Sequence, residues 1–509
     1  MKKIISIVEG VTKNPVWRMA EPVNFEMLEG EHIAVTGPNG GGKTMFTDIL
    51  IGKHPLLNEP LYDFSPNKSQ MVNDNVKCIS FRDTYGGETD RTYFLQQRWN
   101  STEINPDTPT VNELLEREYR LAGPDTPERQ KQKQRLFDLF DLYSQLDKYV
   151  ILLSSGELRK LQLVRALLSS PRIIILDNPF IGLDVAAKNL LKALLQRLAN
   201  EKVLQMILVL SRNEEIPDFI THVLCVRDMT VSRKMKRDEF LLNRSCHVSQ
   251  KYFDKKKFYD IVERTPQHGD FGDSVIEMNN ICIRYGIHTI LKNLNWKVEK
   301  GEHWSLLGPN GSGKSTLLSI VCADNPQSYA CDISLFGKQR GSGESIWDIK
   351  KRIGYVSPEM HRAYNNRDLS AIRIVASGFK DSIGLYSKPS EEEFEQSKKW
   401  MDVFHLHNIY DRSFLKLSSG EQRMILLARA FVKNPDLLIL DEPFHGLDDS
   451  NRSLAGEIIE AFCEQKNKTM IMVTHYNEDL PKCINKSLKL QTLQKTCFKD
   501  KNCIKIVNN

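Results

Sequence analysis

Apolar residues fall along the chain in two rhythms. Short unbroken runs, Ile173 to Leu176, Ile207 to Leu210, Leu437 to Leu440 and Ile471 to Val473, have the length of strands. Without polar alternation, such runs predict strands buried on both faces, as in a parallel sheet. Longer mixed stretches, such as Pro109 to Leu121 and Ser390 to Phe404, predict helices. Two more strand-like runs, Glu31 to Thr36 and Glu302 to Leu307, each enter a Gly-rich turn and then a helix. Pro171 and Pro435 each close a helical stretch just before a buried strand. The pattern is α/β.

The pattern also repeats. GPNGGGKT from Gly37 returns as GPNGSGKST from Gly308, and Lys43 and Lys314 lie 271 residues apart. LSSGE from Leu153 returns from Leu417, IIILDNPFIGLD returns as LLILDEPFHGLD, and ILVLSRNEEIP returns as IMVTHYNEDLP. Glu157 and Glu421, Asp177 and Asp441, and Ser211 and His475 are all 264 residues apart. A period this long marks a duplicated domain rather than a solenoid. The expected organisation is a first domain over 1–227, a linker over 228–273, a second domain over 274–490 and a polar, basic tail over 491–509.

Composition narrows the class further. The chain has 509 residues, 40% hydrophobic and 27% charged, which excludes collagen-like, disulfide-framework and wholly disordered proteins. Its 70 basic and 65 acidic side chains leave +5, too small a bias for a generic nucleic-acid binder. No apolar run reaches the length of a membrane helix, and the apolar stretch of MKKIISIVEG is too short for a signal peptide. Ten scattered cysteines, with no CxxC and no Cys/His metal spacing, predict free thiols in a reducing cytoplasm. Any action at a membrane then needs recruitment by another subunit. The linker interleaves SRKMKRDEF and KKKFYD with Tyr252, Phe253, Phe258 and Tyr259. Such a mixture suits contact with RNA or acidic lipid, or a solvated connector pinned by aromatics.

The two GxxxxGK[ST] motifs carry phosphate chemistry. Gly37, Pro38, Asn39, Gly40, Gly41 and Gly42, and Gly308, Pro309, Asn310, Gly311, Ser312 and Gly313, form turns whose backbone N–H groups can wrap phosphates. Lys43 and Lys314 reach the β/γ oxygens. Thr44 and Ser315, the latter followed by Thr316, offer a hydroxyl to Mg²⁺. The helix that follows directs its positive N-terminus at the anion. Asp177 and Asp441 end apolar strands, where a carboxylate can face Mg²⁺. ATP and Mg²⁺ are the expected ligands.

LSSGE before a helix, then LD[EN]P and GLD, resembles the ATP-binding cassette family, with LSSGE varying the usual LSGGQ. The resemblance spans both halves. The paired halves, YFLQQRWN and IGYVSPEMH look like the ModF-type subgroup, tandem cassettes associated by name with molybdate transport or photorepair. It implies two tandem P-loop nucleotide-binding domains. Each has a mainly parallel core sheet flanked by helices, a small antiparallel β part and a helical subdomain. It also implies a head-to-tail pairing within one chain, without an obligate homodimer. Ser154, Ser155, Gly156 and Glu157 then complete the second cradle, and Ser418, Ser419, Gly420 and Glu421 complete the first.

The two sites are unequal on this reading. The second has Glu442 to polarise water and His475 to hold it, with Tyr285 where the family stacks adenine. The first has Asn178, which cannot accept a proton at neutral pH, and Ser211, which is too short for the histidine's role. Trp17 is its nearest candidate for adenine. The family's Mg²⁺-contacting Gln is matched by Gln96 or Gln97 in the first half, while the second has Ser357 and Pro358 there. The expected protein is an ATPase with one competent and one degenerate site.

The function expected first is the energy-coupling subunit of a transporter, docked on a separate transmembrane permease at the cytoplasmic face of the inner membrane. Docking would use the surface near Gln96 and Gln97 and the segments 98–149 and 359–416. The subgroup name suggests molybdate or another oxyanion. The alternatives are an ATPase acting on the ribosome or nucleic acid, like ABC-F or repair proteins, and an ATP-dependent regulator.

Overall fold

The computed structural model describes residues 2–67, 69–81, 108–200, 204–212, 215–243, 251–265, 268–285, 288–309, 311–364, 368–382, 388–475 and 477–491. The chain divides into two compact units, Met1–Ser249 and Gln250–Asn509.

In the first unit β1 (Lys3–Gly10), β2 (Val23–Leu28) and β4 (Leu61–Tyr62) form a small antiparallel sheet in the order β2-β1-β4. The larger sheet uses β3 (Ile33–Thr36), β5 (Val76–Ser80), β6 (Ile173–Asp177), β7 (Gln205–Val209), β8 (His222–Arg227), β9 (Thr230–Val231) and β10 (Met235–Lys236). Its order is β10-β8-β3-β7-β6-β5, with β9 off the path on β8. The inner pairs β8-β3-β7-β6-β5 are all parallel.

The second unit repeats the plan. β11 (Ser274–Tyr285), β12 (His288–Glu299), β14 (Asp332–Leu335) and β15 (Lys338–Gln339) form an antiparallel sheet. β13 (His303–Leu307), β16 (Ile353–Val356), β17 (Leu437–Asp441), β18 (Thr469–Val473) and β19 (Lys486–Lys489) form an all-parallel sheet in the order β16-β17-β18-β13-β19.

The unbroken apolar runs have the cause their pattern predicts. Successive residues of a strand point to opposite faces, and here both faces are covered. Ile173 and Ile175 of β6 enter the core shared with the antiparallel sheet, while Ile174 and Leu176 enter the core shared with the helices. Leu437 and Ile439 of β17 pair against Leu438 and Leu440 in the same way. The fold is α/β with parallel core sheets, a small antiparallel part and a helical part in each unit.

The stretch 228–273 takes part in both units. β9 and β10 extend the first sheet, and Lys234 bonds Glu31 at 2.5 Å. The helix Lys255–Arg264 packs on the second unit: Phe258, fully buried, meets the edge of Trp400 at 5.6 Å. Lys257 pairs with Asp402 at 2.9 Å and Lys255 with Glu464 at 2.6 Å. Cys78, Cys282, Cys322, Cys331, Cys463 and Cys483 are free thiols as expected, but the expectation fails at Cys225, which is disulfide-bonded.

The buried ring generates a prediction. Phe258→Ala should cost the second unit about 3–5 kcal/mol in denaturant unfolding, the usual range for emptying a buried aromatic site. A loss below about 1 kcal/mol would mean that this helix adds nothing to the core.

Candidate functional site

Both cradles sit where parallel strands end. β3 stops at Thr36 and the helix Lys43–Leu50 begins seven residues on; β13 stops at Leu307 and is followed by the helix Lys314–Val321. The turn between has no room for side chains at its first glycine. A Cβ on Gly37 would lie 2.0 Å from the Val226 carbonyl oxygen, and one on Gly308 would lie 2.6 Å from that of Leu490. Gly42 and Gly313 cap the helices with φ of 104° and 95°, which only glycine adopts without strain.

Pro38, Asn39, Gly40 and Gly41, and likewise Pro309, Gly311 and Ser312, lie on the turns; Asn310 lies outside the described residues. Lys43 Nζ donates to Gly37 O at 2.6 Å and Pro38 O at 2.9 Å. Lys314 Nζ donates to Gly308 O at 2.7 Å and Pro309 O at 2.9 Å. Both ammonium groups are buried inside their own loops. Thr44 and Ser315 are exposed beside them, whereas Thr316 is buried. This exposure fits hydroxyls that can reach a hydrated cation.

The carboxylates stand two strands away on the same edge. Asp177 ends β6 opposite Val209, and Asp441 ends β17 opposite Val473. The next residue is held identically in both halves. Asn178 and Glu442 have φ of 52° and 53°, and their N–H groups donate to Val209 O at 2.8 Å and Val473 O at 2.9 Å. Only the side chains differ. Asn178 Nδ2 donates to Asp177 Oδ1 at 3.0 Å, and Ser211 Oγ donates to Asn178 Oδ1 at 2.9 Å. Ser211 therefore does reach its neighbour across the strand ends, and the amide is satisfied on both sides.

In the second half Glu442 Oε1 lies 3.5 Å from His475 Nε2 and makes no hydrogen bond. Burial, then the charges of Asp441 and Asp479, push the Glu442 carboxyl up to about 8, against the pull of Arg423 and Lys314.

The LSSGE segments form reciprocal caps. Ser154 and Ser418 precede the helices Ser155–Leu167 and Ser419–Phe431. Each serine hydroxyl accepts from the N–H of Glu157 or Glu421, whose carboxylate accepts from the serine N–H at 2.8 Å. Gly156 and Gly420 lie in the first turns. The sequence carried this signal as S-x-x-E, the capping-box pattern.

Register also locates the position of the family's Gln. Ser80 pairs with Asp177, and Val356 pairs with Leu440, so Phe81 is the counterpart of Pro358. Phe81 is buried under Arg159, 4.4 Å from the ring centre. Gln96 and Gln97 lie outside the described residues. Tyr285 ends β11, packs at the edge of the core, and its hydroxyl accepts from Asn325 Nδ2 at 3.1 Å. Trp17 stacks on His54 at 4.9 Å and remains 42% exposed, so one ring face is already taken.

Two units, each with a P-loop, a strand-end carboxylate and a capped signature helix, define tandem nucleotide-binding cassettes. The profile of the ABC transporter family matches residues 20–181 and 291–445, and the chain belongs to that ATP-binding cassette family. It is similar to the ABC transporter ATP-binding protein ModF of Escherichia coli K12, at 36% identity over 95% of this chain and 96% of that protein. An ABC transporter ATP-binding protein of Schizosaccharomyces pombe is 29% identical over 91% of this chain and 93% of its own. Among solved structures, the archaeal ribosome recycling factor aABCE1, in complex with the ribosomal stalk protein aP1, superposes with a TM-score of 0.54. It covers 94% of this chain and 87% of that one at 16% identity, a likeness of fold. The chain is an ATPase, and cassettes of its family bind ATP, generally with Mg²⁺.

Glu442 gives the nucleotide-free fold a pH signature. An unfolded glutamate ionises near 4.5, whereas the buried one holds its proton to about 8. Between those values the unfolded chain binds fewer protons, so this group removes stability as pH rises. Glu442→Gln should therefore match the parent near pH 4.5 and exceed it at pH 8, by up to about 5 kcal/mol in denaturant unfolding. Parallel pH profiles for the two proteins would mean that the carboxyl is ionised in the fold.

Proposed function

We propose that the protein is an asymmetric ATP-driven tandem ATPase in which the second cassette hydrolyses and the first binds ATP and holds it. The observation that carries this reading is the contrast at one backbone-matched position. Glu442 faces His475 across 3.5 Å, while Asn178 is locked between Asp177 and Ser211.

In the hydrolytic site Lys314 leaves its loop carbonyls for the β/γ-phosphates, and Ser315 and Asp441 hold Mg²⁺. A cation held there would supply charge neutralisation on the transferring phosphoryl group. Glu442 accepts the proton of the attacking water once its own carboxyl, pushed up to about 8 by burial, has ionised, a form that a cation held at Asp441 would favour. His475 orients that water and the γ-phosphate. Lys43, Thr44 and Asp177 form the holding site. Following the family resemblance, Ser154 to Glu157 complete the second site and Ser418 to Glu421 the first when ATP is bound. The amide of Asn178 keeps the shape of the site but takes no proton.

The work done by this cycle is energy coupling to a separate transmembrane permease. Its support is the relative named an ABC transporter ATP-binding protein, together with the linker chemistry. Lys234, Arg237, Lys255 and Lys257, four of the linker's basic residues, pair with Glu31, Asp218, Glu464 and Asp402 inside their own units. Among the described residues no helix is long and apolar enough to cross a membrane; on this reading the channel is the partner's. An oxyanion such as molybdate as cargo follows from the subgroup name alone.

Steady-state ATPase assays test the asymmetry. Glu442→Gln should lower turnover by about 10²-fold or more, and Asn178→Ala should leave it within about threefold. The reverse ranking would assign hydrolysis to the first cassette. Purifying Glu442→Gln with ATP in mild detergent tests the partner. A near-stoichiometric integral membrane protein is the expected companion, and ribosomes or nucleic acid in its place would refute energy coupling to a permease.

A further inference from the structure

The duplication supplies an internal control at the opposite edge of each parallel sheet. His32 and His303 are counterparts: both precede the cradle glycine by five residues, and their carbonyl oxygens accept from Thr221 N and Asn485 N at 2.9 and 3.0 Å. In the first unit the surroundings are packing. Ala199 lies at the end of the helix Val185–Asn200, Phe219 meets the ring of His32 edge-on at 5.8 Å, and His32 Nδ1 accepts from Met206 N–H at 3.2 Å. A neutral imidazole is satisfied there.

In the second unit the residues at the places of Ala199 and Phe219 are Cys463 and Cys483. Their sulfurs and a ring nitrogen of His303 all lie within 4.8 Å of one another. Cys463 and His303 are buried, and Cys483 is half-buried on the solvent side. The two thiols share a hydrogen bond, which draws the Cys483 thiol down and pushes the Cys463 thiol up.

His303 is also held differently. Nδ1 lies 3.1 Å from Cys483 O and Nε2 lies 3.2 Å from Lys468 O. Both neighbours are acceptors, but a neutral ring carries one N–H. One nitrogen is thus oriented by a carbonyl, and the other keeps a lone pair beside two thiols. That is how metal-ligating histidines are held.

We propose that His303, Cys463 and Cys483 bind a thiophilic divalent cation, Zn²⁺ in the reduced protein. Tetrahedral Zn²⁺ with Zn–S near 2.3 Å and Zn–N near 2.0 Å sets its ligand atoms roughly 3.5–3.8 Å apart, so the cluster contracts by at most about 1.3 Å. Both thiols lose their protons to solvent on binding. The fourth position is water, entering past Cys483. Met470 Sδ, 3.9 Å from Cys463 Sγ, closes the inner side. Such a site ties the C-terminal end of the helix Asp449–Cys463 to the start of β13, about 13 Å of strand from the cradle.

The test uses the full chain, reduced with a phosphine, stripped by chelator and titrated with Co²⁺. Zinc retained after gel filtration is measured separately. The parent should take up one equivalent, with the charge-transfer absorption of thiolate-bound Co²⁺, and Cys282→Ser should match it. The variant Cys463→Ala/Cys483→Phe adopts the residues of the first unit, where they pack without loss of fold. It should keep its ATPase activity and thermal unfolding, lose the absorption, and bind at least about tenfold more weakly. No uptake by the parent would overturn the proposal. So would uptake that the double variant retains, because that cation sits elsewhere, at the cradle hydroxyls and carboxylates.

Discussion

Everything at the sites depends on a sheet that water cannot reach from either face. Ile173 to Leu176 and Leu437 to Leu440 are buried on both sides, so these central runs are apolar throughout. Parallel order then brings several strand ends to one edge, where backbone hydrogen bonding stops and side chains can face solvent. The cradle follows β3 or β13, the carboxylate ends β6 or β17, and Ser211 or His475 follows β7 or β18. Residues over a hundred positions apart are assembled by strand order alone. That rigidity also places Asn178 and Glu442 in the same left-handed backbone conformation.

A common scaffold makes the divergence between the halves informative. Because φ and the N–H bond at 178 and 442 coincide, the chemistry there is a pure side-chain variable. An amide tied to Asp177 and Ser211 is electrically quiet. A carboxyl sealed beside Asp441 and Asp479 is not: removing it from water favours its protonated form, and the closest acid makes ionisation harder still.

Much of this was legible in the chain. The repeated motifs gave the duplication, the unbroken apolar runs gave doubly covered strands, and the Asn/Glu and Ser/His exchanges gave the asymmetry. Three things were not. The basic-aromatic linker left two readings open, a surface for RNA or lipid and a connector pinned by aromatics, because composition cannot reveal that Lys257 meets Asp402 or that Phe258 packs on the edge of Trp400. The counterpart of Pro358 was read by residue type as Gln96 or Gln97, which lie outside the described residues, and only strand register shows that Phe81 stands at the matching position. The cluster at His303 has no spacing signature, since its members are 160 and 20 residues apart and meet only through the crossover connections of the sheet.

The lysines held by their own loops give each cradle a particular character. Each ammonium group has two carbonyl partners at hydrogen-bond distance, so an incoming anion competes with the loop itself. Inorganic phosphate, sulfate or a nucleic-acid backbone must displace these internal bonds and offers few in return. A triphosphate that also engages the turn N–H groups and a hydroxyl-bound cation replaces them with surplus. The loop is thus its own competing ligand, a threshold that favours chelating polyphosphates over simple anions in a crowded ionic medium.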